Sequence, residues 1–317
     1  MLVWAADRPL RSVFMGTPAF AVPSLRAVAA TTTLVGVVSQ PDRPRGRGLA
    51  SQPSPVSVAA SELGVALLRP TSVRTADTQA ALAAWQPDIL VVAAYGKILP
   101  AALLELPTLA PINVHASLLP RYRGAAPIAA SILAGDAATG ITIMLMSAAL
   151  DAGDMLLQRT LPINAEDTTE SLTTALAELG ATALTDALGV LRSAGLQAEP
   201  QDVSRVTYAP RLTKDNGRID WHRDAVAIER MVRAFTPWPS AFTMLGGRTL
   251  KILAARVAST ASADGVAGTI AVHGGVVHVA TGTGVLELLA VQAEGKKAMP
   301  AAAFAAGARL SSGARFE

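Results

Sequence analysis

The 317-residue chain contains no cysteine, which excludes a disulfide framework and any thiolate-ligated metal centre. Aromatic residues make up only 4% of it and charged residues 16%. Its four histidines, His115, His222, His273 and His278, show no metal-ligand clustering. No stretch approaches the roughly 18 consecutive apolar residues of a membrane span. The purest run, 89–95, has the length of a buried strand. Asp7, Arg8 and Pro9 interrupt the N-terminus before a secretory apolar core can form. A complete GxGxxG fingerprint and a P-loop are both missing, so neither a dinucleotide nor a nucleoside triphosphate is indicated. A reducing cytoplasm is the natural home for such a chain, a reading that the missing cysteine permits.

What is present is an alanine-rich composition, 51% hydrophobic, in a chain long enough for two cores. The net charge is −1 over residues 1–211 and +4 over 212–317. A modestly basic second part suits a polyanionic partner such as nucleic acid. Apolar runs at 12–15, 34–39, 65–68, 89–93, 112–115 and 141–147 alternate with helical patterns, the mark of βαβ units and a mostly parallel sheet. A Pro/Gly/Arg-rich loop is expected over 40–54. Ser54 looks like an N-cap with Pro55 in the first helical position. Leucines and alanines from Leu172 to Leu191 recur at helical spacing and predict one long amphipathic helix. Residues 197–211 are polar, contain two prolines and read as a linker. Beyond them come a helix near 225–235 and short β-like runs with Gly-rich turns, as in a small antiparallel barrel. The expected domains are 1–196, a linker 197–211, and 212–317.

Asn113 and His115 lie two apart on a predicted strand, so both side chains share one face. At the carboxyl end of that strand an amide donor beside an imidazole could polarise a carbonyl and stabilise an oxyanion. Asp151 and Asp154 sit on a glycine-containing turn, and a carboxylate near His115 could support its charge and pass protons. By themselves these residues fit a strand-end histidine and Asx turns equally well. Arg43, Arg45 and Arg47 crowd the predicted loop, where guanidinium groups could reach phosphates or base edges, or simply face solvent.

The order of the motifs decides between these readings. Phe14-Met-Gly-Thr-Pro18, Gln40-Pro-Asp-Arg-Pro44 with Gly46-Arg-Gly48, and Ala94-Tyr-Gly-Lys-Ile-Leu-Pro100 resemble segments of the methionyl-tRNA formyltransferase family. So do 113–120 with Arg123-Gly-Ala-Ala-Pro127, and Leu150-Asp-Ala-Gly-Asp-Met155. The likeness continues through Arg218-Ile-Asp-Trp221, Arg233-Ala-Phe-Thr-Pro-Trp-Pro239 and Glu294-Gly-Lys-Lys-Ala-Met299, in register from about residue 11 to residue 300.

The resemblance implies an α/β, Rossmann-like formyltransferase domain followed by an OB-like barrel. It implies transfer of a formyl group from 10-formyltetrahydrofolate to methionine on initiator tRNA, a chemistry that requires no metal; the enzyme is expected to be cytoplasmic and a monomer. The family's catalytic trio falls on Asn113, His115 and Asp151. Its folate segment falls on Ser117, Leu118, Leu119 and Pro120, with Ile98 and Leu99 at positions that line the pterin pocket. Its tRNA-reading loop falls on Arg43, Arg45 and Arg47, and Arg47 aligns with the key arginine. The chain departs from the family pattern at Ala19, Ala116 and Ala152, and at Leu49-Ala50-Ser51 where basic residues are frequent. A sugar-nucleotide amine is the alternative acceptor, since enzymes of that kind keep the trio and the folate segment.

Overall fold

Apolar runs become the inner strands of a seven-stranded sheet, and segments with Gly and Pro lie in its connections. The structure is a computed structural model that describes residues 1–4, 7–45, 50–261 and 265–317. In chain order, β1 (Arg11–Gly16), α1 (Val22–Thr31) and β2 (Thr33–Val38) come first. A ribbon of β3 (Arg43–Arg45) and β4 (Ala50–Gln52) follows, then α2 (Pro55–Glu62), β5 (Leu67–Leu68), α3 (Ala76–Ala83) and β6 (Ile89–Ala93). Next are α4 (Ala101–Leu104), β7 (Ala110–His115), β8 (Arg123–Gly124), α5 (Pro127–Ala134), β9 (Ala138–Leu145), β10 (Met155–Pro162) and α6 (Thr169–Ser193). The sheet runs β10-β9-β7-β6-β1-β2-β5. From β7 to β5 every pairing is parallel, whereas β9 runs antiparallel to both β7 and β10.

Local chemistry explains the element ends. Ser54 caps α2 as expected, its Oγ accepting from the N–H of Ser57 at 3.0 Å with Pro55 opening the helix. Residues of β1 and β6 are buried almost throughout, as strands covered on both faces should be. α6 is long and apolar enough to cross a membrane by length and composition alone. Its Leu176, Leu184, Leu188 and Leu191 are fully buried, as in a core helix. Gly180 lets it settle on the sheet: a Cβ there would lie 3.1 Å from a Val114 methyl.

The structure adds elements where sequence led us to expect a loop. Within 40–54, β3 and β4 pair antiparallel from Arg43↔Gln52 to Arg45↔Ala50. Arg47 and Leu49 lie outside the described residues. β10 and the short pair β8·β11, with β11 at Tyr208–Ala209, were also not expected.

The chain divides into two compact units. One comprises Met1–Pro127, Ala138–Pro162 and Thr173–Ala209; the other comprises Ile128–Ala137, Ile163–Leu172 and Pro210–Glu317. Segments 128–137 and 163–172, expected in the first domain, therefore cluster with the second. The Thr169 hydroxyl donates to the Ala234 carbonyl at 2.6 Å, and Arg233 donates to the Asp167 carbonyl at 3.0 Å. Most of the expected linker, up to Ala209, belongs to the first unit.

The second unit contains α7 (Ala225–Ala234), β12 (Ala241–Leu245), β13 (Arg248–Ser259), β14 (Ile270–His273), β15 (Val276–Ala280), β16 (Val285–Ala293), β17 (Met299–Pro300) and α8 (Ala301–Ala308). Its antiparallel sheet runs β12-β13-β16-β15-β14, with β17 on β16. The last residues close the gap between the two edges. Ile270 N–H donates to the Ala314 carbonyl at 2.8 Å, and Glu317 N–H donates to the Met244 carbonyl at 3.0 Å. This gives the barrel-like closure expected from sequence.

Candidate active site

β7 ends at His115, which is 6% exposed. Its Nε2 lies 3.0 Å from the Tyr122 carbonyl oxygen. A carbonyl can only accept, so Nε2 carries a proton and Nδ1 is the nitrogen left for proton exchange. Nδ1 is 3.7 Å from Asp151 Oδ2, longer than a hydrogen bond and within ion-pair range.

Asp151 comes from the connection between β9 and β10. That connection is closed by the Leu145 N–H donating to the Asp154 carbonyl at 2.9 Å. Gly153 makes the closure possible, because a Cβ there would collide with the Leu145 carbonyl oxygen. Asp151 itself adopts φ +47°, a left-handed conformation that Asp tolerates better than most residues. Its Oδ2 accepts the Gly124 N–H at 2.8 Å.

Gly124 belongs to β8, which β11 holds parallel. It has φ +118°, and a Cβ would sit 2.6 Å from the Ala209 carbonyl oxygen. Only glycine fits so close to the neighbouring backbone. One short strand and its flank therefore bond both members of the pair, through the Tyr122 carbonyl and the Gly124 N–H.

Asn113 lies two residues before His115 on β7 and is half-buried. Strand alternation puts the two side chains on one face. Its amide makes no hydrogen bond to other described residues. The structure thus brings His115 and Asp151 together and leaves a free amide on the same strand face.

Ser117–Pro120 follows directly. Ser117, Leu119 and Pro120 are buried and Leu118 is half-buried. The segment is held by two residues that sequence reading did not single out. The Thr142 hydroxyl donates to the Ser117 carbonyl at 2.7 Å and accepts the Leu119 N–H at 3.1 Å. Gln158 Nε2 donates to the Leu119 carbonyl and to Thr142 Oγ1, both at 2.9 Å. Thr142 pairs with His115 across β9 and β7, so one register position serves both the histidine and the segment after it. Ile98 and Leu99 part company. Leu99 packs into the core beside Tyr95 and Leu103, while Ile98 stands 73% exposed. Arg43 and Arg45 lie on β3.

Comparison with known proteins gives these residues a family. Residues 10–188 match the family described as formyl transferase, and 211–309 match the formyl transferase C-terminal domain. The chain belongs to the formyl transferase family. It is 48% identical over 309 residues to the methionyl-tRNA formyltransferase of Roseiflexus sp. (strain RS-1), covering 97% of this chain and 95% of that one.

The fold of the family recurs in solved structures of low identity. An N-formyltransferase from Helicobacter canadensis, in complex with folinic acid and dTDP-3-aminofucose, is 16% identical with a TM-score of 0.67; 88% of this chain and 98% of that one are covered. HypX from Aquifex aeolicus, in complex with tetrahydrofolic acid, is 17% identical with a TM-score of 0.62; 94% of this chain is covered. This formyltransferase spans about half of HypX, 47% of its length.

Proposed function

We propose that this formyltransferase moves the formyl group of 10-formyltetrahydrofolate onto the α-amine of methionine carried by initiator tRNA. The observation that carries the acceptor is the end-to-end likeness, at 48% identity, to a methionyl-tRNA formyltransferase. The His115–Asp151 pair beside Asn113 supplies chemistry suited to such a transfer.

In this reading the unprotonated amine attacks the formyl carbon held on N10 of the folate. Asn113 and protonated His115 donate hydrogen bonds to the oxyanion of the tetrahedral intermediate. With Nε2 committed to the Tyr122 carbonyl, Nδ1 is the histidine atom that meets the reacting groups. Asp151, beside Nδ1 at 3.7 Å, supports that charge and relays the proton lost by the amine to departing N10. The carbon–nitrogen bond to the amine forms first, the bond to N10 breaks when the tetrahedral intermediate collapses and N10 takes the proton, and no metal enters the balance. Ser117–Pro120 and exposed Ile98 would meet the folate, with Leu99 supporting Ile98 from the core side.

Arg43, Arg45 and Arg47 would contact tRNA phosphates, with the net +4 charge of residues 212–317 adding to the attraction. The enzyme would act in the cytoplasm as a monomer. Incubation of charged initiator tRNA with 10-formyltetrahydrofolate should yield N-formylmethionyl-tRNA. Free methionine and an amino-sugar nucleotide should give no product. Product from the sugar nucleotide and none from the tRNA would overturn the acceptor assignment.

A further inference from the structure

Gln201 lies in the segment that sequence suggested was a linker, yet it is only 9% exposed. Its amide is used at both ends. Nε2 donates to the Asp151 carbonyl at 2.8 Å and to the Gly153 carbonyl at 2.7 Å. Oε1 accepts from Arg123 Nε at 3.0 Å and Nη2 at 2.7 Å. The reversed amide would set donors against donors and acceptors against acceptors, so the network fixes its orientation.

Arg123 is 8% exposed, and among the described residues its guanidinium bonds no carboxylate. A buried cation satisfied by one amide oxygen is costly unless that oxygen is held in place. The neighbours of Arg123 on either side are the two groups that touch the reaction centre: the Tyr122 carbonyl meets His115 and the Gly124 N–H meets Asp151. Gln201 therefore ties the backbone of Asp151 to the strand that already holds its side chain. Asp151 needs such a tie, since non-glycine residues keep a left-handed conformation only where the surroundings impose it.

We infer that Gln201, acting with Arg123, is a positioning residue that sets the approach of Asp151 to His115 and thereby the rate of transfer rather than the binding of either substrate. This rests on assigning that pair to the reaction centre. Misplacement of a catalytic group by about 1 Å can cost on the order of 100-fold in rate.

The test is a kinetic double-mutant cycle with the full-length enzyme, using Gln201→Met, Asp151→Asn and the double variant. Gln201→Met should lower kcat by about 10- to 100-fold with KM for both substrates within about threefold. On the Asp151→Asn background the same substitution should cost less than about threefold, because the residue it positions is already disabled. A full multiplicative loss in the double variant would mean that Gln201 acts elsewhere and overturns the proposal. If Gln201→Met fails to fold, Gln201→Glu keeps the length and an acceptor for Arg123 while removing the donor to the two carbonyls. It should show the same pattern, and wild-type kcat in that variant overturns the clamp. Wild-type kcat in Asp151→Asn would instead overturn the assignment of the pair, and the clamp with it.

Discussion

Thr142→Val is the substitution whose effect follows most directly from the structure. The two side chains have nearly the same shape, and Thr142 is fully buried, so packing changes little and hydroxyl chemistry changes completely. The hydroxyl makes three bonds: to the Ser117 carbonyl, from the Leu119 N–H and from Gln158 Nε2. Gln158 keeps the Leu119 carbonyl as a second partner, so two backbone groups are left unpaired in the variant. An orphaned buried group costs about 1–3 kcal/mol. Two of them in one segment, partly relieved by relaxation, should lower stability by about 2–4 kcal/mol. The orphans both lie in 117–120, so the loss should also appear as weaker folate binding. Thr142→Ser keeps the oxygen and should lose only about 1 kcal/mol, with folate binding close to normal. Urea denaturation and folate titration of both variants make the comparison. A Thr142→Val enzyme within about 0.5 kcal/mol of wild type, or with unchanged folate affinity, would refute the reasoning.

Further predictions concern the turn, the core and acid stability. Gly153→Ala should collide with the Leu145 carbonyl and displace Asp151, costing on the order of 100-fold in kcat; a normal rate would mean that the turn does not govern the pair. Tyr95 is 1% exposed and its hydroxyl has no partner among the described residues, and burial pushes its pKa up to about 12. Tyr95→Phe removes that orphan and should leave thermal stability unchanged or raise it, where a drop would reveal an unrecognised partner. Asp88 is 1% exposed. Burial opposes its ionisation, but hydrogen bonds from Arg8, the Arg11 N–H and Thr108 outweigh it and hold the carboxyl below its usual value. A folded pKa below the unfolded one means that its contribution is fully present above about pH 4 and is lost as pH falls through the folded value. Denaturation midpoints should therefore drop in acid more steeply for wild type than for Asp88→Asn, and equal slopes would exclude Asp88 as a source.

The inner strands and the capped start of α2 were legible because they depend on local pattern: apolar runs at β1 and β6, and a serine before a proline at 54–55. The shared face of Asn113 and His115 was legible for the same reason, since strand periodicity is two. The contact between His115 and Asp151 was not. It depends on the fit of Gly153 against Leu145 and on an N–H from Gly124, 27 residues before the aspartate that accepts it. β8·β11 is two residues long and too short to show alternation. β3 carries two arginines and a proline, and β4 is the short run Ala50–Gln52; both read as loop. Gln201 looked like linker because a polar residue in an aperiodic stretch gives no sign that its amide is buried. Thr142 and Gln158 escaped notice because their partners are backbone groups of another segment.

The reaction centre is tested most directly by the single-turnover rate of N-formylmethionyl-tRNA formation by Asn113→Ala and His115→Ala at saturating 10-formyltetrahydrofolate. Each variant should fold, bind both substrates and transfer the formyl group about 10² to 10³ times more slowly than wild type. A rate close to wild type in either variant would contradict the role given to that residue, and in both would remove this strand from the chemistry.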